Sequence, residues 1–233
     1  MKKELQKIHK LKVLVATLSN GVWTADFGVS LCNLAVAFHS HKVGEYKEQT
    51  LHIMHAKGSI LPRMRYSCLK EAKKLNADYL LFVDSDQTFP RSALHRLISH
   101  DLDVVAANVA VKRLPSHPTA TKLNEKGEIV PVFTDVDSKG LEEVYRVGTG
   151  LMLLSKKAIH ALPPDCFEMR YRKDVDDYQG EDWLMNDFLA QAGFKTYIDH
   201  DLSKHVGHVG HFIYTHDWVG TDNLPEVSDG RES

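Results

Sequence analysis

The stretch Asp78–Pro90, D-Y-L-L-F-V-D-S-D-Q-T-F-P, determines the fold that we predict for this chain. Tyr79–Val83 is a short apolar and aromatic run without helical periodicity, which is typical of a strand buried on both faces of a parallel sheet. Asp84, Ser85 and Asp86 follow at the carboxyl end of that strand, where open α/β sheets bind their ligands. Two carboxylates this close repel each other unless a cation or hydrogen-bond donors separate them. The stretch therefore indicates either a metal and diphosphate site or a solvated acidic turn.

Length and composition favour one well-buried domain over residues 1–233. The chain has 233 residues, of which 43% are hydrophobic, and this is too short for two full domains with linkers. A formal net charge of -2 argues against a strongly basic nucleic-acid binder or a polybasic membrane anchor. Cys32, Cys68 and Cys166 are widely separated, so we expect reduced, partly buried thiols rather than disulfides or a zinc site.

The start of the chain, M-K-K-E-L-Q-K-I-H-K-L-K, is charged and lacks the apolar core of a signal peptide. No later run approaches the roughly 20 apolar residues of a membrane span. We therefore expect a soluble, cytoplasmic protein, located in the host cytoplasm if the gene belongs to a phage.

The first half of the sequence alternates between strands and helices. In order, the predicted elements are a strand at Lys12–Leu18, a helix at Ala25–His39, a strand at Leu51–His55, a helix from Pro62 to Leu75, the Tyr79–Val83 strand, a helix from Ser92 to Ser99 and a strand at Asp103–Val109. Successive β-α units imply a parallel, twisted sheet flanked by helices.

The second half begins after Lys112 with a different pattern. We predict a hairpin of Ala120–Leu123 and Glu128–Phe133, strands at Leu141–Val147 and Leu151–Ser155, a helix at Lys156–Leu162, a lid at Asp165–Gln179, a helix from Gly180 to Gly193 and a strand at Lys195–Asp199. The tail after Asp222 looks disordered. The fold class is thus α/β, with a mixed, mostly parallel sheet and an antiparallel portion in the second half.

Acidic and imidazole groups fall at the ends of several predicted elements. Asp84 and Asp86 follow a strand, Glu181 and Asp182 begin a helix, and His208 lies in H-V-G-H-V-G-H. Carboxylates supply the oxygen ligands that Mg²⁺ and Mn²⁺ prefer, and a neutral imidazole suits Mn²⁺. Carboxylates at a helix start are also ordinary capping residues, so both interpretations of Glu181 and Asp182 stay open.

Four motifs together resemble the GT-A class of nucleotide-sugar-dependent glycosyltransferases, and most closely its small, single-domain members from bacteria and phages. They are Y-L-L-F-V-D-S-D at 79–86, V-G-T-G-L-M-L-L at 147–154, G-E-D-W at 180–183 and V-G-H-V-G at 206–210. The resemblance covers roughly residues 12–211. It implies a Rossmann-like donor half at about 12–112, an acceptor half at about 113–215, and a flexible tail at about 222–233.

The resemblance also implies a metal site. Asp86 would bind Mn²⁺ or Mg²⁺ directly, and Asp84 would contact the metal through water or contact the donor's ribose. His208 looks like the third protein ligand. His205 and His211 flank it at three-residue steps, which leaves the choice among the three histidines open.

A general base is implied in the same way. In inverting members of the class, an acidic residue of the G-E-D-W motif removes the proton from the acceptor hydroxyl. Asp182 is our candidate, with Glu181 orienting the acceptor or the sugar. Trp183 of the same motif either stacks on a sugar or packs in the core.

The donor implied by the resemblance is a nucleotide sugar, with a UDP-sugar as the first candidate. Arginine suits a diphosphate because its fork donates two parallel hydrogen bonds. Tyr66 stands where many relatives carry Asn, so either Arg63 or Arg65 could do this work. The residues that would bind the donor are Thr17, Ser19, Arg63, Arg65, Asp84 and Ser85.

Three function classes follow from these residues. The first is a metal-dependent glycosyltransferase whose acceptor is unknown, with a saccharide and a hydroxylated base of phage DNA both open. The second is a nucleotidyltransferase or a metal-dependent nuclease, which would also use D-x-D. The third is a non-catalytic nucleotide- or sugar-binding module.

Overall fold

A seven-stranded mixed sheet forms the centre of the structure, a computed structural model that describes residues 10–173, 176–210 and 213–219. The helices and strands are, in chain order, β1 (Lys10–Ser19), α1 (Ala25–Ser40), β2 (Glu48–Lys57), α2 (Leu61–Leu75), β3 (Tyr79–Asp84), β4 (Gln87–Thr88), α3 (Ala93–Ser99), β5 (Val104–Ala106), β6 (Thr121–Leu123), β7 (Ile129–Pro131), β8 (Leu141–Val144), β9 (Leu151–Ser155), α4 (Lys156–Ala161), β10 (Arg170–Arg172), β11 (Asp177–Gln179), α5 (Glu181–Gln191), β12 (Thr196–Asp199), α6 (His200–Ser203), β13 (Gly207–Val209) and β14 (Ile213–Tyr214).

The strand order of the main sheet is β2-β1-β3-β9-β5-β12-β8. β1 pairs in parallel with β2 and β3, and β5 pairs in parallel with β12. β9 lies antiparallel between β3 and β5, and β8 is antiparallel to β12. The five strands β1, β2, β3, β5 and β12 therefore point the same way, which confirms the predicted α/β class with its mixed sheet and antiparallel portion.

The central position of β3 explains its uninterrupted apolar sequence. Side chains alternate between the two faces of a strand, so Leu80 and Phe82 join the core on the α2, α4 and α5 side, while Leu81 and Val83 join the core on the α1 and α3 side. All four are fully buried. The sheet is thus covered by helices on both faces, and Asp84 emerges at its carboxyl edge.

The strand predicted at Asp103–Val109 is shorter in the structure. It ends at Ala106; Ala107 N still donates to Leu151 O of β9 at 2.9 Å, but Asn108 finds its hydrogen-bond partners outside the main sheet. Asn108 N donates to Ser203 Oγ at 2.8 Å, and Asn108 Nδ2 donates to Val132 O at the same distance.

The strand predicted at Leu141–Val147 is also shorter, and it ends at Val144. Beyond that point the chain joins the small β6–β7 sheet, where Thr121 N donates to Arg146 O at 2.8 Å. β6 and β7 themselves pair antiparallel, so the hairpin predicted here is confirmed with shorter strands.

The predicted lid at Asp165–Gln179 contains an antiparallel hairpin of β10 and β11. The hairpin contacts α5, where the guanidinium carbon of Arg170 lies 5.5 Å from the centroid of the Phe188 ring. Tyr171 and Tyr178 pair across the two strands, with ring centroids 5.4 Å apart. Strands of three residues are too short for a detectable period, so the sequence pattern did not predict them.

Cys68 and Cys166 are buried, Cys32 is exposed, and all three are free thiols. Within the described ranges, the structure contains no helix long and apolar enough to cross a membrane. The predicted tail after Asp222 lies outside the described residues.

Candidate active site

The acidic loop after β3, Asp84–Asp86, is held by backbone hydrogen bonds from distant parts of the chain. Asp84 N donates to Gly150 O at 3.0 Å, and Val209 N donates to Asp86 O at 2.7 Å. The loop therefore has a fixed backbone, and its carboxylates project from a rigid support.

β13 brings His208 to this loop. β13 pairs antiparallel with β4, with His208 opposite Gln87, one residue beyond Asp86. His208 Nε2 lies 3.3 Å from Asp86 Oδ1. His205 is exposed, and His211 lies outside the described residues. Of the two described histidines proposed as ligands, His208 is the one placed beside Asp86.

A contact with Ala110 determines which nitrogen of His208 carries a proton. His208 Nδ1 lies 3.0 Å from Ala110 O, and because a carbonyl oxygen only accepts hydrogen bonds, Nδ1 donates to it. In the neutral imidazole, Nε2 then directs a lone pair toward the Asp86 carboxylate, an arrangement that needs a cation or a proton between them. A backbone partner on the other ring nitrogen is also the usual support of a metal-binding histidine. This donor pair fits a divalent cation that takes its other ligands from water and phosphate.

Asp84 does not join Asp86 and His208. Its Oδ1 lies 3.3 Å from Arg65 Nη2, in an ion pair with that guanidinium. Over the described ranges, no group of three or more His, Cys, Asp or Glu side chains could hold a metal ion. The structure thus brings together two of the three ligands implied by the sequence.

Lys112 is a neighbour of Asp86 that the sequence did not identify. Its Nζ lies 2.5 Å from Asp86 Oδ2, the carboxylate oxygen that is not paired with His208. Burial alone would raise the pKa of Asp86, but with a proton rather than a cation on His208 Nε2, hydrogen bonds from His208 and Lys112 outweigh burial and lower that pKa to about 2. Asp86 is therefore ionised at any ordinary working pH.

Arg65 links the acidic loop to the start of α5. The residue is 3% exposed, and besides Asp84 it contacts Glu181, with Nε 3.1 Å from Oε1. Its Nη1 is buried and has no hydrogen-bond partner among the described residues. Because burying an unpaired charge is costly, Arg65 and its two carboxylates stabilise one another.

The G-E-D-W motif forms the first turn of α5, with Gly180 as N-cap. Carboxylates are favoured there by the positive end of the helix dipole. Burial is the main cause that raises the pKa of Asp182 to about 6, and the charge of Glu181 adds to it, while Arg65 opposes it. A carboxyl group with this pKa loses its proton close to neutral pH and can take up another, as a general base must.

Side chains farther along α5 fix its position against the V-G-T-G segment. Asn186 Nδ2 donates to Val147 O at 2.9 Å and to Asp182 O at 2.7 Å. The ring of Trp183 lies against Arg146, whose guanidinium carbon is 4.9 Å from the ring centroid. At least one contact of Trp183 is therefore a packing contact within the protein.

The two glycines of V-G-T-G permit close approach by neighbouring side chains. A Cβ on Gly148 would lie 3.1 Å from Thr119, and one on Gly150 would lie 3.3 Å from Gln87 Nε2. The atoms that approach these two glycines closely are therefore side chains of this protein.

Two adjoining cavities open at the carboxyl ends of β1 and β2, and one of them reaches the acidic loop. Both are bordered by Gly58, Ser59 and Met64, so together they form one groove. The cavity farther from the acidic loop has a volume of about 450 Å³, and its lining includes Arg63. The cavity at the acidic loop has a volume of about 300 Å³. The polar side chains of its lining include Ser19, Arg65, Asp84, Ser85, Asp86, Lys112 and His208.

Thr17 and Ser19 differ in how they meet this groove. Ser19 lies at its wall, where Ser19 Oγ is 2.7 Å from His55 Nε2. Thr17 is fully buried in β1, and its Oγ1 has no hydrogen-bond partner among the described residues. All the other predicted donor residues line the groove.

Comparison with known proteins gives a fold and no family. No family model matches the chain, and no curated protein matches it significantly in sequence. Among solved structures, A197 from STIV superposes with a TM-score of 0.56 and 15% identity over 94% of this chain and 100% of that chain. At this identity the match shows a shared α/β fold alone.

Two further solved structures superpose less well. The inositol-1-phosphate CTP transferase from T. maritima has a TM-score of 0.44 and 12% identity, over 82% of this chain and 85% of its own. The 4-diphosphocytidyl-2C-methyl-D-erythritolsynthase from Anaerococcus prevotii DSM 20548 has a TM-score of 0.43 and 12% identity, over 82% and 86%.

Proposed function

We propose that this chain is a metal-dependent glycosyltransferase of the GT-A type, which moves a sugar from a nucleoside-diphosphate sugar to an acceptor hydroxyl. The observation that carries the proposal is the bridge made by Arg65. One buried guanidinium contacts both Asp84 of the acidic loop and Glu181, the neighbour of Asp182. A diphosphate site at Asp84 and a carboxyl group suited to act as a base would therefore lie on either side of one guanidinium.

Asp86 and His208 would hold the cation, Mn²⁺ or Mg²⁺, and Asp84 would contact it through water or bind the donor's ribose. When bound, the cation would supply a Lewis acid that neutralises the diphosphate leaving group. The fixed Nδ1–H of His208 supports this role, because it keeps the Nε2 lone pair available.

Asp182 would remove the proton from the acceptor hydroxyl if the reaction inverts the sugar's anomeric configuration. Its pKa of about 6 supports this role, because the carboxylate is ionised at neutral pH yet still basic enough to take up a proton. Glu181, held by Arg65, would orient the acceptor or the sugar. The proton would move from the acceptor oxygen to a carboxylate oxygen of Asp182 as that acceptor oxygen bonds to the anomeric carbon and the bond from this carbon to the nucleoside diphosphate breaks.

The groove would take the donor, with a UDP-sugar as the first candidate. Ser19, Arg63 and Ser85 would contact its nucleotide and diphosphate, and Thr17 would support the β1 end of the site from within the sheet. The half of the domain at about 113–215 would bind the acceptor, either a saccharide or a hydroxylated base of DNA. Three free thiols fit the cytoplasmic location that we propose.

A panel of UDP-, GDP- and CDP-sugars with Mn²⁺ tests the proposal. We expect at least one donor to raise the melting temperature and to release nucleoside diphosphate, and Asp182→Asn to abolish the release. Release of pyrophosphate from CTP or UTP instead would identify a nucleotidyltransferase. Donor binding without any turnover, unchanged in Asp182→Asn, would identify a binding module.

A further inference from the structure

Lys112 places a positive charge of the protein itself on the carboxylate proposed to bind the metal. The two oxygens of Asp86 have different partners, Lys112 Nζ at 2.5 Å and His208 Nε2 at 3.3 Å. Lys112 also lines the same cavity as Arg65 and Ser85. A cation that binds between Asp86 and His208 therefore meets an ammonium group already bound to one of its ligands.

The backbone beside Lys112 is held in place, while the lysine side chain has room to move. Val111 N donates to His117 O at 2.9 Å, and Ser116 Oγ donates to Val111 O at 2.8 Å, so a tight loop fixes the lysine's neighbour. The Lys112 side chain is 37% exposed, and that of Asp86 is 28% exposed. A lysine on a flexible four-carbon stem can exchange partners within this reach without movement of the backbone.

Charge favours such an exchange. With no cation or ligand bound, Asp86 is a partly buried anion, and Lys112 neutralises it. A divalent cation at Asp86 repels the ammonium of Lys112, and a diphosphate in the same cavity offers it new acceptor oxygens. Lysine is a common phosphate ligand because its ammonium acts as a compact point charge.

We propose that Lys112 is a charge-exchange residue, which neutralises Asp86 in the empty site and moves its ammonium to the donor's diphosphate when the cation occupies Asp86 and His208. The inference rests on the proposed function and adds to it a second protein charge on the leaving group. Loss of a static ion pair would affect the metal alone. If Lys112 exchanges partners, its removal must strengthen Mn²⁺ binding measured without diphosphate, and it must also weaken diphosphate binding.

The test compares Lys112→Met with wild type in two titrations of the full-length protein. Free Mn²⁺ is measured by electron paramagnetic resonance with metal alone, and binding of inorganic pyrophosphate and of UDP is measured by calorimetry at saturating Mn²⁺. We expect the Mn²⁺ dissociation constant to fall about fivefold, since a partly exposed ion pair no longer competes. We expect the dissociation constants of pyrophosphate and UDP to rise about tenfold or more.

Two variants serve as controls. Lys122→Met removes a lysine that also pairs with a carboxylate, Glu142 at 2.9 Å, but does not line the cavity, and it should change neither titration. Lys112→Arg keeps the charge and should keep diphosphate binding within about threefold of wild type. Thermal unfolding of each variant establishes that it is folded, and Lys112→Gln replaces Lys112→Met if the latter is not.

The outcomes separate this inference from the proposed function. Tighter Mn²⁺ binding with unchanged pyrophosphate binding would reduce Lys112 to a competitor of the metal and overturn the exchange, as would two unchanged constants or a weakening of both. If wild type binds neither Mn²⁺ nor pyrophosphate, the proposed function fails and the inference fails with it.

Discussion

Arg65 Nε and Glu181 Oε1 lie 3.1 Å apart although the two residues are separated by 116 positions in the chain. This contact joins α2 to α5 across the carboxyl edge of the sheet, and it is made by an almost fully buried guanidinium. The acidic loop and the G-E-D-W turn are therefore coupled through one side chain, and each depends on the other for its charge balance.

Arg65→Met should destabilise the protein strongly, because it leaves two partly buried carboxylates without their cation. We expect the free energy of unfolding to fall by about 3–5 kcal/mol in urea denaturation. Arg63→Met is the matched control, since Arg63 is exposed on the same helix, and it should stay within about 0.5 kcal/mol of wild type. Equal effects from both variants would contradict the bridging role.

Asp182→Asn should stabilise the fold while it removes the proposed base. The pKa of Asp182 is raised from 3.8 to about 6, so the folded protein holds its proton more tightly than the unfolded chain does. Stability therefore falls as the pH rises from about 4 to about 6 and stays lower above that. We expect the variant to gain on the order of 1–3 kcal/mol at pH 8, and less at pH 4.

Asp187→Asn provides the contrast for this measurement. Asp187 Oδ1 pairs with the buried Arg146 at 2.8 Å, so its loss should destabilise the fold. A stability gain in both variants, or in neither, would show that the burial of Asp182 is not what raises its pKa.

Transfer activity should rise with pH through about 6. Because Asp182, the proposed base, can take up a proton only when ionised, we expect kcat/KM to increase about tenfold per pH unit below 6 and to level off above it. Mn²⁺ binding measured over the same pH range shows whether the fall of kcat/KM below pH 6 reflects protonation of Asp182 or loss of bound metal. An activity that is flat between pH 5 and 7 would exclude Asp182 as the base.

Gly207→Ala should damage the proposed metal site from a distance. A Cβ at this position would lie 2.6 Å from Thr88 Oγ1 and closer still to Ile213, so β13 must shift away from β4 and carry His208 with it. We expect a loss of about 1–3 kcal/mol in stability and at least about tenfold weaker Mn²⁺ binding. Gly28→Ala, in α1 with open space around it, should instead stabilise by up to about 1 kcal/mol.

His208→Ala and His205→Ala should differ in Mn²⁺ affinity. His208 faces Asp86, whereas His205 is exposed. We expect His208→Ala to weaken Mn²⁺ binding at least about tenfold and His205→Ala to leave it unchanged, in the same resonance titration. A larger loss from His205→Ala would mean that the ligand is misassigned.

Most of the fold could be predicted from the sequence because its main strands and helices carry strong periodic signals. The apolar run at Tyr79–Val83 predicted a strand buried on both faces, and β3 is that strand. The pairing of β4 with β13 could not be predicted, because strands of two and three residues have no period to detect. Yet this pairing is what sets His208 beside Asp86.

The partners within the site were harder to predict than the residues themselves. The motifs implied Asp84, Asp86 and His208 as metal ligands, with His205 and His211 as alternatives to His208, and the structure places only His208 of the described candidates beside Asp86. The ion pairs of the site could not be read from the motifs. Lys112 lies in a loop without periodicity, and no local sequence pattern distinguishes the buried Arg65 from the exposed Arg63. The ion pairs of both Lys112 and Arg65 therefore depend on tertiary contacts.

Because β13 comes late in the chain, the main sheet can form before β13 does during synthesis. Every strand of the main sheet is complete by Asp199, but His208 follows it and must come back to β4, which was made long before. While residues past β12 are still inside the ribosome, the sheet can assemble with Asp86 and Lys112 already paired. His208 therefore joins Asp86 only after β13 has paired with β4, so the proposed cation site is completed after the main sheet.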